Sequence, residues 1–583
     1  MKPSTPHDAP NDTGLAGGTE ATSAPAASHS AEPSHALAAA VRVISGLTLL
    51  SRFSGLARDI ITARIFGGGL LGSSFRAAYA APNLFRRLFG EGALSAAFLP
   101  EYTRVLKSDP SAAQALASMV VYALCLVTGA LVLLLEIVLL AIITVGNDPE
   151  RELSLKLVMV MLPMMPAVCL TAILSGVLQV HGKFGPPAAA PVLLNLAQIA
   201  AALLCIGLHV GAESSTYAVG WAAVGASGLQ IVWCLWALRG RVRWTRAFRA
   251  AGSSGRTVLR RFVPVVIGLG TLQLNTMIDT LIAMWPTYIG PTMFGRAVTL
   301  DESSNAVISY AQTIYQFPLG VFGIAVATAV FPLLSRTASD PAAFLLGLRR
   351  GLRLSLFIGL PASIGLFIVR HDLIRTIFGG SERAAESAAA VETSVAAWEG
   401  FTEPQLVRMA AALAGFAPAV WAYSLNHVFS RAFYAKGDTT TPMRVAIGMV
   451  VLNLTLNFVL IWPLREAGLA WATAISATVQ CGVLFVLCAR LIAAPLVDRE
   501  TAAAGLRTIL VSAVMGLGVW AVARWLPLPE TWIGTAARLT ACVFVGAVLY
   551  STLSLAMRSP EFRWLRERAP RGARPPGDAV SFE

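Results

Sequence analysis

Residues 115–145 read ALASMVVYALCLVTGALVLLLEIVLLAIITV, a run of 31 residues with one charge, Glu136. About 20 apolar residues in a helix cross a hydrocarbon core of roughly 30 Å. A helix satisfies its own backbone in lipid, whereas a membrane barrel needs short alternating segments. The stretch therefore predicts a spanning helix. Comparable runs lie at about 37–66, 75–104, 153–180, 186–209, 215–238, 262–286, 304–334, 352–370, 405–434, 443–462, 467–490, 506–525 and 532–557. The predicted class is an all-α polytopic membrane protein of about 14 transmembrane helices. Only 13% of the 583 residues are charged, against about 25% in soluble chains.

The charge follows the loops. Residues 1–36 are rich in Ala, Ser, Pro and Thr and read as a disordered cytoplasmic tail without a signal-peptide pattern. With that end inside, the inside loops collect Lys and Arg, above all Arg239, Arg241, Arg243, Arg246, Arg249, Arg256, Arg260 and Arg261, and the 558–583 tail. The outside loops are poor in them, and the longest, about 371–404, carries Asp372, Glu382, Glu386, Glu392, Glu399 and Glu403. Both termini are expected in the cytoplasm. The net charge of +13 is thus a topology signal rather than a nucleic-acid surface. The seven cysteines all fall in apolar runs without metal or disulfide spacing and read as small apolar residues.

An internal repeat divides the chain. Residues 78–104, AYAAPNLFRRLFGEGALSAAFLPEYTR, resemble 309–336, SYAQTIYQFPLGVFGIAVATAVFPLLSR. Pro166-Ala167-Val168, Lys183 and Leu194-Asn195-Leu196 match Pro418-Ala419-Val420, Lys436 and Leu452-Asn453-Leu454. Helices 1–6 then correspond to helices 7–12 in the same direction. Two parallel six-helix lobes around a central cavity are expected, with two extra C-terminal helices. The corresponding boundaries are 37–238 for the first lobe, 239–261 for a basic cytoplasmic loop, 262–490 for the second lobe and 506–557 for the last two helices.

Charges stand where lipid should be. Arg52, Arg58, Asp59, Arg64, Arg76, Arg86, Arg87 and Glu91 lie in or at the ends of the first two helices. Each central charge costs roughly 2.5–3.5 kcal/mol to insert unless it faces water or a partner. Arg58 and Asp59 are adjacent and are expected on different faces, while Arg87 and Glu91 have pairing spacing. A wet cavity lined by guanidinium forks, which bind phosphate in parallel, is the reading for Arg52, Arg58, Arg86 and Arg76, with snorkelling and interhelical ion pairs as the alternative; snorkelling at helix ends accounts for Arg64 and Arg104. Pro82-Asn83 is expected to distort helix 2. In the other half, Asp279, Asn453, Asn457 and Thr473 supply oxygens that suit a small hard cation or, equally, ordinary interhelical hydrogen bonds. Glu136 receives no role. No P-loop, metal cluster or nucleophile–base pair emerges, so the reading is a transporter and not an enzyme.

Ser51–Gly69, SRFSGLARDIITARIFGGG, and Ala81–Arg104, APNLFRRLFGEGALSAAFLPEYTR, resemble the first two helices of the MurJ (MviN) lipid II flippases, within the multidrug/oligosaccharidyl-lipid/polysaccharide exporter superfamily. The resemblance continues through Gln316–Arg336 and Ala432–Pro442 and covers the membrane portion. It implies lipid II, the undecaprenyl-pyrophosphate-linked peptidoglycan precursor, as substrate, and a bacterial cytoplasmic membrane as location. It also implies a lipid-tail groove formed with helices 13 and 14. Arg52, Arg58 and Arg86 match arginines held to bind the pyrophosphate, and Glu91 matches a functional acid. Asp279, Asn453, Asn457 and Thr473 fall where some members bind Na+, Asn457 replacing an aspartate.

The departures from the family pattern are Ser73, in place of an Asp, and Gln312, Thr313 and Gln316, in place of an Asp-Arg pair and a Glu; Arg76 is the candidate to compensate in part. A long outside insertion falls at about 287–303. The expected activity is alternating-access flipping of lipid II. The alternatives are export of another lipid-linked oligosaccharide or drug, and a non-transporting scaffold for cell-wall synthesis.

Overall fold

The computed structural model describes residues 32–90, 93–379 and 400–566. Glu91 and most of the expected acidic loop, residues 380–399, lie outside the described residues. The long helices are α1 (Glu32–Phe66), α2 (Leu70–Phe85, the π-helical turn Arg86–Gly90, then Ala93–Ser108), α3 (Pro110–Val145), α4 (Pro149–Val180), α5 (Gly185–Gly207), α6 (Ala212–Ala237) and α7 (Gly252–Ala283). They continue as α8 (Ser304–Arg336), α9 (Pro341–Phe378), α10 (Glu403–Ala435), α11 (Thr440–Leu464), α12 (Glu466–Ile492), α13 (Arg499–Trp525) and α14 (Trp532–Ala556). Among the described residues, 11 helices, α3–α6 and α8–α14, are long and apolar enough to cross a membrane. The other three, α1, α2 and α7, are long helices interrupted by charged residues, so about fourteen spans are consistent with the structure. Leu126, Leu133, Leu134 and Ile137 stand exposed along α3, an apolar surface suited to acyl chains.

Local chemistry sets the helix starts. Asp109-Pro110, Asp148-Pro149 and Asp340-Pro341 open α3, α4 and α9, each Asp accepting backbone N–H bonds of the first turn and each Pro filling a position that needs no donor. Hydrogen bonds from the Ala112 and Ser111 N–H groups and the Ser111 hydroxyl hold the Asp109 carboxyl below its ordinary range. The repeat reappears in the distortions. A π turn interrupts α2 at Arg86–Gly90 and α8 at Leu319–Gly323, and α10 is broken by a 3-10 turn at Ala417–Ala419 where α4 is broken at Leu162-Pro163. Helices cross closely where glycine allows it. A Cβ on Gly359 would fall 2.8 Å from the Trp421 Cα, and one on Gly415 would fall 3.0 Å from the Trp471 N.

Several boundaries differ from the sequence reading: α1 begins at Glu32, inside the stretch 1–36 read as disordered tail, and α9 begins at Pro341, ahead of the expected 352. Helix α7 begins at Gly252, inside the stretch 239–261 read as loop, so Arg256, Arg260 and Arg261 ride its first turns. Near this end α7 packs on the first lobe, through Val258 and the Arg261–Glu101 pair, and at its far end it meets α11. Helix α9 runs to Phe378, and Asp372, read as loop, lies in it buried against Arg538 of α14 at 2.6 and 2.8 Å. The insertion near 287–303 holds a two-stranded hairpin, β1 (Thr292–Met293) and β2 (Arg296–Ala297). Glu136 makes no hydrogen bond or ion pair among the described residues.

The last described helix is latched. A short helix, Pro560–Arg566, places the buried Glu561 between Arg353 of α9 (2.7 Å) and Arg507 of α13 (3.3 Å). The Trp564 ring lies 4.7 Å from the Arg350 and 4.9 Å from the Arg353 guanidinium carbon. Removing one partner of a buried pair costs roughly 3–5 kcal/mol because the other charge stays buried. Glu500, also on Arg353, offsets part of this. Glu561→Ala is therefore expected to cost about 3 kcal/mol, read as a lower thermal midpoint of the detergent-solubilised protein.

Candidate functional site

A cavity of about 770 Å³ lies between the lobes. Its first-lobe wall carries Arg52, Arg58 and Asp59 from α1 and Arg76, Arg86 and Arg87 from α2, with Gln179, Asn195 and Gln230 behind. The facing wall is Thr276 and Thr280 of α7 and Ser309, Gln312, Thr313 and Gln316 of α8. The structure thus brings the four arginines singled out in the sequence, with Arg87, into one space, where Asp59 is the one carboxylate among the described residues that line it. Glu91 lies outside the described residues.

The arginines differ in what holds them. Arg58 donates to the Asp59 Oδ1 at 2.8 Å, to the Asn195 Oδ1 at 3.1 Å and to the Tyr79 hydroxyl at 3.2 Å. This corrects the expectation that Arg58 and Asp59 diverge. Their Cα–Cβ bonds do diverge, but the long arginine stem curls back to the short neighbouring acid. The same Asp59 oxygen accepts from Arg76 at 3.1 Å. Arg86 donates to the Asn83 Oδ1 at 3.0 and 3.2 Å, so Asn83 orients that fork; the helix runs unbroken through Pro82-Asn83, and its distortion, expected there, falls in the π turn that begins at Arg86. Arg52 forms no hydrogen bond or ion pair among the described residues. Its guanidinium rests on the α8 backbone, where a Cβ on Gly320 would collide with it.

Asn195 is a polar hub that the sequence reading used only as a repeat marker. It also donates to the Ser51 carbonyl and the Ser54 hydroxyl at 3.1 and 3.0 Å. The signal was present: an amide inside an apolar run needs partners. Its repeat mate Asn453 belongs to the second polar group. There the Asn457 Nδ2 donates to the Asp279 Oδ1 at 2.6 Å and to the Asn453 Oδ1 at 3.0 Å, and the Asn453 Nδ2 donates to the Thr473 Oγ1 at 3.3 Å. All four predicted residues meet. In the first lobe the acid of α1 faces two guanidiniums. In the second, among the described residues, the acid of α7 faces only an amide, and the buried Asn457 Oδ1 has no partner. Turning that amide over would set its oxygen beside those of Asp279 and Asn453. Carboxylate, amide and hydroxyl oxygens are hard donors, so the set fits a small cation.

One end of the cavity is sealed between the lobes. The Asn305 Nδ2 donates to the Ser73 carbonyl at 2.7 Å, and the Ala306 N–H, an orphan donor of the first turn of α8, bonds the Ser73 Oγ at 3.0 Å. The Gly68 N–H bonds the Gly400 carbonyl at 3.1 Å. Beside this seam Arg408 binds Asp301 at 2.8 and 2.9 Å and Glu466 at 2.6 Å. Burial alone would raise the Asp301 carboxyl, but the bonds from Arg408 and Ser303 bring it down to about 2. A carboxyl lowered this way contributes its stability above its ordinary range near 3.8 and loses it only as pH falls toward about 2, so the tie persists at neutral pH. The sealed end is opposite the basic loops.

Two repeated helical lobes around a polar, cation-lined cavity define a two-lobed membrane transporter. A solved structure described as "Lipid II flippase MurJ, inward closed conformation" matches this fold with a TM-score of 0.70 at 21% identity, covering 90% of this chain and 99% of that one. An inward-facing multidrug resistance MATE family transporter of the MOP superfamily matches with 0.60 at 14% identity, over 78% and 98%. The family model described as "Lipid II flippase MurJ" matches residues 62–400 and 399–535. A "Probable lipid II flippase MurJ" of Rhizobium tropici is 30% identical over 83% of this chain and 87% of its own length, and the "Lipid II flippase MurJ" of Burkholderia cenocepacia 29% over 76% and 82%. The chain belongs to the lipid II flippase MurJ family, a family of multi-pass bacterial membrane proteins.

Proposed function

We propose that the protein flips lipid II from the inner to the outer leaflet of the bacterial cytoplasmic membrane by alternating access. One observation carries this reading: five arginines share a cavity of about 770 Å³ that is sealed at one end between two pseudo-equivalent lobes. The basic loops support a cytoplasmic open end and cytoplasmic termini. A pyrophosphate headgroup entering from that side meets guanidinium forks suited to its oxygens, at permanent charge and in a site of lowered dielectric. Its prenyl tail stays in lipid. Parting of the Ser73–Asn305 seam and closure of the basic end then deliver the headgroup outside. Returning the emptied, positively charged cavity inward is favoured by the membrane potential, at about 2.3 kcal/mol per charge per 100 mV.

The test is rescue of cells depleted of their own lipid II flippase; a chain that reaches the membrane in normal amount and fails to rescue them sinks the reading.

Asp279, Asn453, Asn457 and Thr473 would hold a Na+ ion, which would supply the second-lobe acid with the neutralising charge that Arg58 and Arg76 give Asp59. Na+ is then expected to raise the thermal midpoint relative to equal K+, and Asp279→Asn to abolish the difference. Equal midpoints in both salts for the unmodified chain remove the ion from the scheme.

A further inference from the structure

We propose that Arg76 supplies, from the first lobe, the positive charge that the α8 wall lacks, so that one lobe alone carries the substrate's phosphates. The inference rests on the reading of an anionic lipid substrate. The wall of α8 facing the cavity holds Ser309, Gln312, Thr313 and Gln316, and none is charged. Arg76 is rooted on α2, yet its Nη2 donates to the Thr313 Oγ1 at 2.7 Å and to the Ser309 carbonyl at 3.1 Å. Its guanidinium carbon lies 4.7 Å from the centre of the Tyr310 ring, also on α8. A cation therefore sits on the second lobe's surface at Thr313.

What binds that cation electrostatically belongs to its own lobe. Its other Nη reaches the Asp59 Oδ1 at 3.1 Å, the oxygen that Arg58 also uses at 2.8 Å. One carboxylate shared by two guanidiniums leaves a net positive charge at the cavity wall. The bonds to Thr313 and Ser309 are neutral acceptor contacts that a phosphate oxygen, itself charged, outcompetes. When the lobes rock apart at the sealed end, Arg76 stays with Asp59 and Arg58, and the anion stays with them. The second lobe then acts as a neutral gate past which the charged lobe moves.

The swap of charge between walls is the experiment. Binding of undecaprenyl pyrophosphate to the purified full chain is measured by native mass spectrometry, with undecaprenol as the phosphate-free control, beside rescue of flippase-depleted cells. R76A is expected to weaken pyrophosphate-lipid binding at least tenfold and to leave undecaprenol binding unchanged. R76A/T313R, which returns the cation from the opposite wall, is expected to recover most of that loss. R76Q keeps an amide donor for Thr313 and Ser309 without the charge, and is expected to behave like R76A. Wild-type binding by R76A or R76Q overturns the proposal. So does a folded R76A/T313R protein no better than R76A, because Arg76 would then be a tie between lobes and not a ligand. If T313R does not fold, the R76Q result decides. An unmodified chain that binds the pyrophosphate lipid in an Arg76-dependent way but fails to rescue cells removes lipid II as the substrate and leaves this proposal standing.

Discussion

Arg52→Ala is expected to abolish rescue of flippase-depleted cells while the protein accumulates normally in the membrane, and Arg86→Ala to do the same. The two halves of that result have separate causes. An arginine inside a span costs roughly 2.5–3.5 kcal/mol to insert, and Arg52 has no ion pair or hydrogen bond among the described residues to offset this. Its removal should therefore leave insertion and stability unharmed. Its loss to function is large, because a hydrogen bond to a charged group contributes about 1.5–3 kcal/mol, and each 1.4 kcal/mol is tenfold in binding. Two such bonds from one fork predict a fall on the order of a hundredfold or more. Arg52→Lys keeps the charge but not the fork and should fall between. Arg58→Ala is less informative, since it also strips Asn195, Tyr79 and Asp59 of a partner. Near-normal flipping by the Arg52→Ala protein would count against a phosphate site in this cavity.

Gly68→Ala should block transport by a different route. A Cβ at this position would sit 2.5 Å from the Gln405 Oε1 and 2.6 Å from the Phe401 Cδ1, across the seam where the Gly68 N–H meets the Gly400 carbonyl. Overpacking of this kind costs about 1–3 kcal/mol, and only the sealed state bears it. The ratio of sealed to parted protein should fall by roughly 5- to 150-fold. Ser73→Cys reports the change, in a background lacking the exposed Cys125. Ser73 is buried at the seam, so its replacement thiol should react slowly with a membrane-impermeant reagent added outside, and faster once Gly68→Ala is present. Unchanged labelling with unchanged flipping would show that this seam is no gate.

The differences between sequence reading and structure share one cause: a charge looks the same whether it meets water or a partner. Asp372 reads as loop because an acid is dear in lipid, and it is helical because Arg538, 166 positions away, neutralises it. Arg256, Arg260 and Arg261 read as loop because they are basic, and they stand on the opening turns of α7, which reach the basic end. Arg58 and Asp59 read as divergent from their positions on an ideal helix, and side-chain length brought them together. Arg76 reads as a cation without a local partner, and its partners are Asp59 on a neighbouring helix and Thr313 in the other lobe.

The spans themselves, the repeat and the arginines that meet in one cavity were legible in the chain alone. Each depends on a local quantity: a peptide group in lipid must be satisfied within its own helix, so length and hydropathy declare it without reference to the rest of the fold. Which oxygen answers which guanidinium, which end of the cavity is sealed, and which lobe owns the charge were decided by packing. Those depend on helix crossings set by small residues such as Gly359 and Gly415, and on side chains that meet across more than 200 positions, as Arg76 and Thr313 do.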